Sequence, residues 1–417
     1  MKIYLAKKSV FFHLICMRKK VDFFSENVIH LAKDLKSNSP QDSNLKKRIM
    51  LIGMSESSHL HSWINGIAAS GIVTEIWLFP SDFPVKKHKY ANIHVRQFPY
   101  FFFGVLANLT FRLLDILTDR LWRSYFLYRE IKRIKPTHLH FHETQHGAFI
   151  FNAIANHPKM NFLGKVIVST WGSDLIVYGN IESQKEAIKR VMSWTNLLTS
   201  ERTEDLQIAL KHGFLGEFKS PVYITIGKRF DLEQLGRTSE RRLIIIKGYQ
   251  DNHGRALNSL ECIEKLSSIM NLEKFIFRVF SASESVKLKV ELLKGINGLN
   301  IKVLPYMPKI ELMKFFRESR VYLGLAISDG LSTSMVEAMS LGAFPIQSRN
   351  SAAPDFIVDG VSGGVVDPWD IEGITEILAK ALTDDELVDR ASNINVQTLR
   401  KKYDWEIGLS ELVRIYD

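Results

Sequence analysis

The sequence alternates short apolar runs with amphipathic stretches, and the same alternation occurs twice along the chain. Residues 46–53 predict a first buried strand and residues 59–69 a helix; after the charged segment 231–242, an apolar run at 243–246 begins the second series. Alternating strands and helices predict a parallel sheet that is covered on both faces. The repeat therefore predicts an α/β protein with two doubly wound, Rossmann-like domains facing a central cleft.

The same alternation predicts the remaining strands and helices of both halves. In the first half we predict strands at 73–79, 137–141, 165–169, 196–199 and 222–225, and helices at 125–134 and 147–156. In the second half we predict strands at 275–280, 301–304 and 321–327, and helices at 255–270, 286–293 and 309–319. A last helical stretch, about residues 394–416, could cross back to the first domain or cap the second. The predicted divisions are an N-terminal extension at 1–44, an N-terminal Rossmann-like domain at 45–235 and a C-terminal Rossmann-like domain at 236–417.

Size and cysteine content limit the class of protein. With 417 residues, 46% of them hydrophobic, the chain is long enough for two domains of about 200 residues each. Cys16 and Cys262 are far apart and lack partners at metal-ligand spacing, which argues against a disulfide framework and a zinc site. We therefore expect a protein of a reducing compartment, located in the cytoplasm.

The net charge of +10 is concentrated at the N-terminus. Up to Arg48 there are eleven Lys or Arg residues and four acidic ones, so the remainder is nearly balanced. This distribution argues against a nucleic-acid partner for the body of the protein. A basic segment next to apolar residues suits the anionic inner face of a membrane, although a solvated extension explains it equally well.

No stretch approaches the roughly 20 apolar residues needed to span a bilayer, and residues 10–17 are too short and lack the cleavage site of a signal peptide. Residues 98–103 are strongly apolar, and residues 112–135 mix aromatic and basic side chains. This pattern is typical of peripheral docking on a membrane. Packing of the segment against the first sheet is the alternative.

Residues 328–345 contain the most informative local pattern. A buried strand leads into a glycine-containing turn, then into a helix that starts near Ser332 and ends before Gly342. Asp329 and Glu337 place two carboxylates around its start. The free amides at a helix N-terminus favour an anionic or hydroxyl-rich ligand there. Alternatively, Ser334 and Glu337 form a capping box that only stabilises the helix.

This block resembles the retaining glycosyltransferases of family 4 (glycosyl transferases group 1), which have the GT-B fold and include enzymes of bacterial polysaccharide biosynthesis. The resemblance extends over residues 46–417 and is most specific at 329–345 and 353–368; Asp329 stands where glutamate is commoner. It implies that Glu337 holds the ribose hydroxyls of the donor and that Asp329 contacts the sugar hydroxyls. It also places the turn and the first helical residue near the donor: Gly330, Leu331, Ser332 and Thr333.

The resemblance also implies cations for the donor diphosphate after the strand at 243–246. Family members generally carry an Arg and then a Lys there, whereas this chain has Lys247, His253 and Arg255. We expect Lys247 and Arg255 to bind the diphosphate and, with Asp329, to form the catalytic group, while His253 contacts the donor. Ordinary surface cations at a helix start are the alternative.

In the first domain, residues 169–174 resemble the family loop in which a histidine often lines the donor sugar. Trp171 occupies that place here, so Trp171, Gly172 and Asp174 become candidates for contact with donor or acceptor. A helix cap is the alternative for Asp174. His59 belongs to the loop after the first strand, which approaches both substrates in such enzymes.

Four histidines cluster around the strand at 137–141, with Glu143 among them: His138, His140, His142 and His146. They could hold a metal ion or simply provide a polar lining of the cleft. We expect no metal and no cofactor, with a nucleoside diphosphate sugar as the donor substrate.

The leading hypothesis is a retaining, metal-independent hexosyltransferase that acts on a glycan acceptor, which we expect to be lipid-linked, in surface polysaccharide biosynthesis. Residues 45–235 would then form the acceptor-side domain and residues 236–417 the nucleotide-sugar-binding domain. A nucleoside diphosphate sugar epimerase would turn over without an acceptor. A nucleotide-binding scaffold would bind the donor without any transfer.

Overall fold

The computed structural model describes residues 47–72, 74–82, 95–97, 113–115, 117–118, 120–157, 160, 162–223, 235–296 and 299–417. Two parallel sheets form its framework, and helices cover both faces of each. The α/β prediction is therefore confirmed. The N-terminal extension at 1–44 and the apolar run at 98–103 lie outside the described residues.

The first sheet has the strand order β3-β2-β1-β4-β5-β6-β7. Its strands are β1 (Lys47–Gly53), β2 (Thr74–Pro80), β3 (Val95–Gln97), β4 (His138–His142), β5 (Lys165–Thr170), β6 (Leu197–Ser200) and β7 (Glu217–Lys219). Its helices are α1 (Ser58–Ala69), α2 (Leu121–Ile134), α3 (Ser173–Ile176), α4 (Glu182–Trp194) and α5 (Asp205–Lys211). The strand order reverses between β1 and β4, which creates a crevice at their carboxyl ends.

The second sheet repeats this topology in the order β10-β9-β8-β11-β12-β13. Its strands are β8 (Leu243–Lys247), β9 (Ile276–Phe280), β10 (Asn300–Val303), β11 (Ser319–Gly324), β12 (Phe344–Ser348) and β13 (Gly364–Val366). The helices of this part are α6 (Ala256–Ile269), α7 (Glu284–Leu293), α8 (Lys309–Glu318), α9 (Thr333–Ser340), α10 (Ile371–Thr383), α11 (Asp385–Lys402) and α12 (Trp405–Tyr416). Here the reversal lies between β8 and β11.

Both central strands are apolar on both faces because each face packs against helices. In β8, Ile244 and Ile246 belong to one core cluster, whereas Ile245 belongs to the cluster on the other face. In β1, Met50 and Ile52 likewise belong to one core cluster, whereas Ile49 and Leu51 belong to the cluster on the other face. The pure apolar runs that predicted these strands thus follow from burial on two sides.

The predicted helix at 147–156 is wrong. After β4 the chain forms a π-helical turn over Thr144–Ala148, a single α-helical turn over Phe149–Phe151, and then turns. The Ala148 amide donates to the Glu143 carbonyl at 3.1 Å, the bond of a π turn. A Cβ on Gly147 would lie 2.7 Å from the carbonyl oxygen of His142, so this wide turn packs directly against the strand end.

The predicted strand at 222–225 is also wrong in its described part. Val222 and Tyr223 lie outside any strand, and the edge of the sheet is formed by β7 instead. Pro221 has no amide hydrogen for a ladder, and Val222 contributes its side chain to the first domain's core. The strand β7 has only three residues, two of them charged, so it is too short and too polar for hydrophobic periodicity to indicate.

The last helical stretch is divided in two. Asp404 accepts a hydrogen bond from the Glu406 amide at 2.9 Å and begins α12, so the chain turns between α11 and α12. Whereas α11 packs on the second domain, Leu412, Ile415 and Tyr416 of α12 belong to the core of the first sheet. The C-terminus therefore crosses back to the first sheet.

The part of the chain that the structure describes contains no helix long and apolar enough to cross a membrane.

Candidate functional site

The site lies where the carboxyl ends of the two sheets meet. Lys247 is the last residue of β8, and Asp329 follows β11. These two strands flank the point where the second sheet reverses its order. Open α/β sheets bind ligands at such points. The two residues predicted as catalytic from strand ends are therefore brought together.

Lys247 is held between Asp329 and the start of α9. Its Nζ donates to Asp329 Oδ2 at 3.1 Å and lies 3.4 Å from Ser332 Oγ. Burial alone would lower the pKa of Lys247, but the charge of Asp329, together with the nearby Tyr322 hydroxyl, outweighs it and raises the pKa. The ammonium group is thus a permanent positive charge beside a helix N-terminus.

The start of α9 corrects one interpretation of Glu337. Ser332 is the N-cap, so the third helical position is Met335, and Ser334 uses its hydroxyl to contact the Tyr322 hydroxyl at 2.9 Å. The capping box of Ser334 and Glu337 is therefore wrong. Within the described part of the chain, the Ser332 side chain makes no capping hydrogen bond either. The first amides of α9 thus remain available to a ligand.

Glu337 lies one turn further along α9 and is only 7% exposed. Its carboxylate forms an ion pair with Lys309 at the start of α8. A buried carboxylate needs such a cationic or hydrogen-bonding partner. The side chain of Lys309 is itself largely exposed, so the carboxylate lies at the border between the core and solvent.

Arg255 has a different set of contacts from Lys247. Its guanidinium donates to the carbonyl oxygens of Asp251 and Gly254 and lies over the ring of Trp369, 5.0 Å from the centroid. In this conformation it therefore belongs to its own loop, not to the cluster around Asp329. His253 in the same loop approaches Tyr178 of the first domain, with ring centroids 6.3 Å apart.

Three aromatic side chains form the opposite wall. The Trp171 ring lies 5.3 Å from that of His59 and 6.0 Å from that of His142. Their buried nitrogen atoms lack a hydrogen-bond partner among the described residues: His59 Nδ1, Trp171 Nε1 and both nitrogens of His142. Buried polar atoms of this kind are usually satisfied by a ligand or water.

The two histidines of this wall are neutral. Burial lowers the pKa of His142 to about 3. Burial also lowers the pKa of His59, and the charge of Asp329 across the cleft offsets only part of this effect. Neutral imidazoles offer one donor and one acceptor each, which suits sugar hydroxyls.

Asp174 positions the wall instead of facing the cleft. It is 4% exposed, and its Oδ2 accepts from the Trp171 amide at 2.7 Å. Its Oδ1 accepts from the amide of Thr144 at 2.6 Å and from the hydroxyl of the same residue at 3.0 Å. The carboxylate thus joins the loop after β5 to the turn after β4. Gly172, not Asp174, is the N-cap residue of α3.

The two halves touch at a pair of glycines. Gly172 has a φ of 100°, and a Cβ there would lie 2.4 Å from the amide nitrogen of Gly330. Glu201, which follows β6, accepts a hydrogen bond from the buried Leu331 amide at 2.7 Å. Ser328 Oγ donates to Ser173 Oγ at 3.2 Å. The turn predicted to approach the donor is therefore in direct contact with the first domain.

Glu201 was missed as a site residue, and His142 was named only as one of four clustered histidines that hold a metal or line the cleft. Both lie at the carboxyl end of a strand, which is the sequence signal that could have revealed them. Elsewhere on this edge, Ser332 is where it was predicted and Thr333 begins α9. Among the described residues, no group of three His, Cys, Asp or Glu side chains is arranged to hold a metal ion.

Comparison with known proteins finds similarity to glycosyltransferases. Residues 231–397 match the family model "Glycosyl transferases group 1". The O-antigen chain mannosyltransferase B of Escherichia coli is 25% identical over 116 residues, which are 28% of this chain and 30% of that protein. The chain thus aligns with under a third of the length of this curated relative.

Solved structures align over nearly all of their length. A sucrose-phosphate synthase from Thermosynechococcus elongatus has a TM-score of 0.66 at 11% identity, covering 89% of this chain and 98% of its own. The trehalose-6-phosphate enzyme from E. coli bound with UDP-2-fluoro glucose gives 0.64 at 15%, covering 89% and 99%. The apo lipopolysaccharide outer core galactosyltransferase WaaB gives 0.63 at 12%, covering 88% and 99%.

At these identities the structural likeness establishes the fold alone, and the fold is GT-B. The family match covers the second sheet together with Lys247, Asp329 and Glu337. The family model therefore confirms the resemblance that residues 329–345 indicate. The chain has the GT-B fold, and residues 231–397 of its C-terminal domain are similar to the glycosyl transferases group 1 family.

Proposed function

We propose that this protein is a retaining glycosyltransferase that moves a hexose from a nucleoside diphosphate sugar to a glycan acceptor. The observation that carries the proposal is the position of Lys247, held charged by Asp329 at the N-terminus of α9. A fixed cation beside free helix amides favours a diphosphate over a neutral ligand. The match of the same domain to the glycosyl transferases group 1 family model supports this assignment.

In the proposed reaction the bond between the sugar C1 and the diphosphate oxygen breaks, and its electron pair leaves with the diphosphate. The acceptor oxygen forms the new bond to C1 on the same face and passes its proton to the departing diphosphate oxygen. Lys247 and the first amides of α9 stabilise the charge that develops on the leaving group. No metal is needed for this role. Arg255 assists only after its side chain leaves Trp369.

The remaining residues would hold the substrates. Glu337 accepts hydrogen bonds from the two ribose hydroxyls, and Asp329 accepts them from the sugar. The neutral ring of His59 and the Trp171 indole line the same space from the first domain. A site assembled from both domains brings donor and acceptor together, which itself accelerates the transfer.

The acceptor class is proposed from the relatives. The curated relative acts on O-antigen chains, and one structural neighbour is a lipopolysaccharide outer core enzyme. We propose a lipid-linked glycan acceptor in surface polysaccharide biosynthesis, reached from the cytoplasmic face of the membrane.

The region before and within α2 supports membrane contact. Leu113, Leu117, Leu121 and Tyr125 recur every four residues, and each is about half exposed, between 46% and 56%. Exposed basic side chains follow on the same segment: Arg129, Lys132, Arg133 and Lys135. Apolar and basic side chains in one segment favour an anionic bilayer surface. The exposure of these leucines argues against packing on the first sheet.

Replacing Leu117 and Leu121 together with aspartate should weaken membrane binding. We expect the partition onto vesicles of phosphatidylglycerol and phosphatidylethanolamine to fall about tenfold or more, because two apolar side chains no longer enter the bilayer. Cosedimentation measures this. Leu215→Asp is the control, since Leu215 is 95% exposed elsewhere. Equal binding of the two variants would disprove the docking surface.

A thermal-shift screen with nucleoside diphosphates and their sugars tests the central proposal. We expect at least one of them to raise the melting temperature of the wild type. In Glu337→Gln the affinity for the same compound should fall about ten- to a hundredfold, because hydrogen bonds from the ribose to a charged group are lost.

Lys309→Ala separates donor binding from a structural role of Glu337. This variant removes the ion-pair partner but keeps the carboxylate. If Glu337 only anchors α8 through this ion pair, Glu337→Gln and Lys309→Ala will bind the donor with the same affinity. If the wild type binds no nucleoside diphosphate or conjugate, the proposed function fails.

A further inference from the structure

Glu143 occupies the reversal point of the first sheet. It directly follows β4, next to β1, which matches the location of Asp329 and Lys247 at the reversal point of the second sheet. Its φ is 71° and its ψ 149°, an unusual backbone conformation for a residue that has a side chain. Such conformations are costly and cluster at functional sites.

Of the two carboxylate oxygens of Glu143, one has a hydrogen-bond partner among the described residues and the other has none. Its Oε2 is bound by His146 Nδ1 at 2.8 Å, and the residue is 7% exposed. Its Oε1 is buried and has no hydrogen-bond partner in the described part of the chain. Leaving a buried carboxylate oxygen unpaired is expensive unless a ligand completes it. The π-helical turn that begins at Thr144 is a second feature frequent at functional sites.

Glu143 also adjoins the wall described above. The next residue, Thr144, is bonded to Asp174, whose other oxygen holds the Trp171 amide. The Glu143 amide itself donates to the Ser169 carbonyl at 3.0 Å, at the end of β5. The turn after β4 and the loop of Trp171 are thus one hydrogen-bonded unit, located on the acceptor-side domain.

The ionisation of Glu143 is balanced near neutrality. Burial raises its pKa to about 7, and the hydrogen bond from His146 limits the rise. The groups that face the pair are Asp174 in α3, Asp82 after β2 and Arg120 before α2. The bond to Glu143 raises the pKa of His146 in turn. The dyad therefore changes its proton content in the physiological range.

We propose that Glu143 is the residue that binds the glycan acceptor, with its free Oε1 accepting a hydrogen bond from an acceptor hydroxyl while His146 holds the other oxygen. This inference rests on the proposed function and names its acceptor subsite. A carboxylate with one oxygen fixed and one free binds a polyhydroxylated glycan in a defined orientation.

Glu143→Gln tests the proposal with little change in shape. The acceptor probe is a detergent-solubilised lipid extract of the source cells, used with the sugar nucleotide that shifts the melting temperature. We expect kcat/KM for the extract to fall about ten- to a hundredfold, while the KM for the donor changes less than twofold. Glu182→Gln, on the exposed surface of α4, is the matched control. Equal values of kcat/KM in both variants would overturn the inference.

The pH profile distinguishes binding from a merely structural role. Since Glu143 has a raised pKa, it accepts hydrogen bonds with both oxygens only above about pH 7. We expect kcat/KM for the extract to rise through that pH in the wild type and to lose the step in Glu143→Gln. In His146→Ala, which keeps the Glu143 carboxylate, the step should move to higher pH because the hydrogen bond that lowers the pKa of Glu143 is gone. A step that persists unchanged in Glu143→Gln refutes the proposal.

These outcomes separate the two proposals. If the wild type neither binds a sugar nucleotide nor transfers sugar to the extract, the proposed function falls and the acceptor subsite falls with it. If the wild type transfers sugar and Glu143→Gln retains the acceptor kinetics of the control, only the subsite is wrong.

Discussion

Lys247→Met should lower kcat for sugar transfer about a hundred- to a thousandfold, the usual effect of removing one preorganised group from a developing anion. Methionine keeps most of the length and apolar body of the side chain but carries no charge. The diphosphate would then leave into a site where the Asp329 carboxylate has lost the ammonium group of Lys247 as its partner. The measurement is kcat at saturating donor and acceptor, together with the thermal shift that the nucleoside diphosphate produces.

Two further variants make this result specific. Lys289→Met removes a lysine from a surface ion pair with Glu264 and should leave kcat unchanged. Lys247→Met combined with Asp329→Asn removes both charges, so it should recover stability that the single variant loses, yet remain inactive. A single variant that retains kcat within about threefold would contradict the role of Lys247.

Truncating Tyr416 should have the largest effect on stability. Tyr416 is fully buried, and its hydroxyl lies 2.8 Å from Trp63 Nε1 and 2.6 Å from His140 Nδ1. Tyr416→Ala removes a core aromatic ring and should lower the free energy of unfolding by about 3–5 kcal/mol. Tyr416→Phe keeps the ring but leaves buried nitrogens unpaired, for a loss of about 1–3 kcal/mol.

Urea unfolding of both variants checks this prediction. Tyr306→Ala is the control, because Tyr306 is fully exposed and should change stability by less than about 0.5 kcal/mol. If Tyr416→Ala resembled that control, α12 would not hold the first sheet. Native-state hydrogen exchange should show the loss in α1 and β4, the elements that carry Trp63 and His140.

The fold was predictable where burial dominates the sequence. The strands β1 and β8 are apolar because helices cover both of their faces, and that pattern is local. The three-residue strand β7 owes its pairing to its neighbour β6, and no local sequence pattern indicates that pairing. The break between α11 and α12 depended on one N-cap, Asp404, within a stretch that was otherwise periodic.

The site was predictable to the level of strand ends but not of side-chain directions. Lys247 and Asp329 follow neighbouring strands, so topology alone brings them together. Arg255 was predicted beside them, yet the ring of Trp369, distant in sequence, draws its guanidinium elsewhere. Similarly, Asp174 was predicted to contact a substrate, whereas its oxygens accept hydrogen bonds from the amides of Thr144 and Trp171. The directions of these side chains depend on tertiary packing, which the local sequence does not show.

The contact between Glu201 and the Leu331 amide has a consequence for donor affinity. That amide belongs to the turn where the proposed donor sugar binds, and a carboxylate oxygen of the protein already occupies it. A donor that needs this amide must first shift the protein to a population in which the bond is open. Its apparent dissociation constant therefore exceeds the intrinsic one by the inverse of that population. Donor selectivity would thus depend on how well a sugar oxygen competes with Glu201.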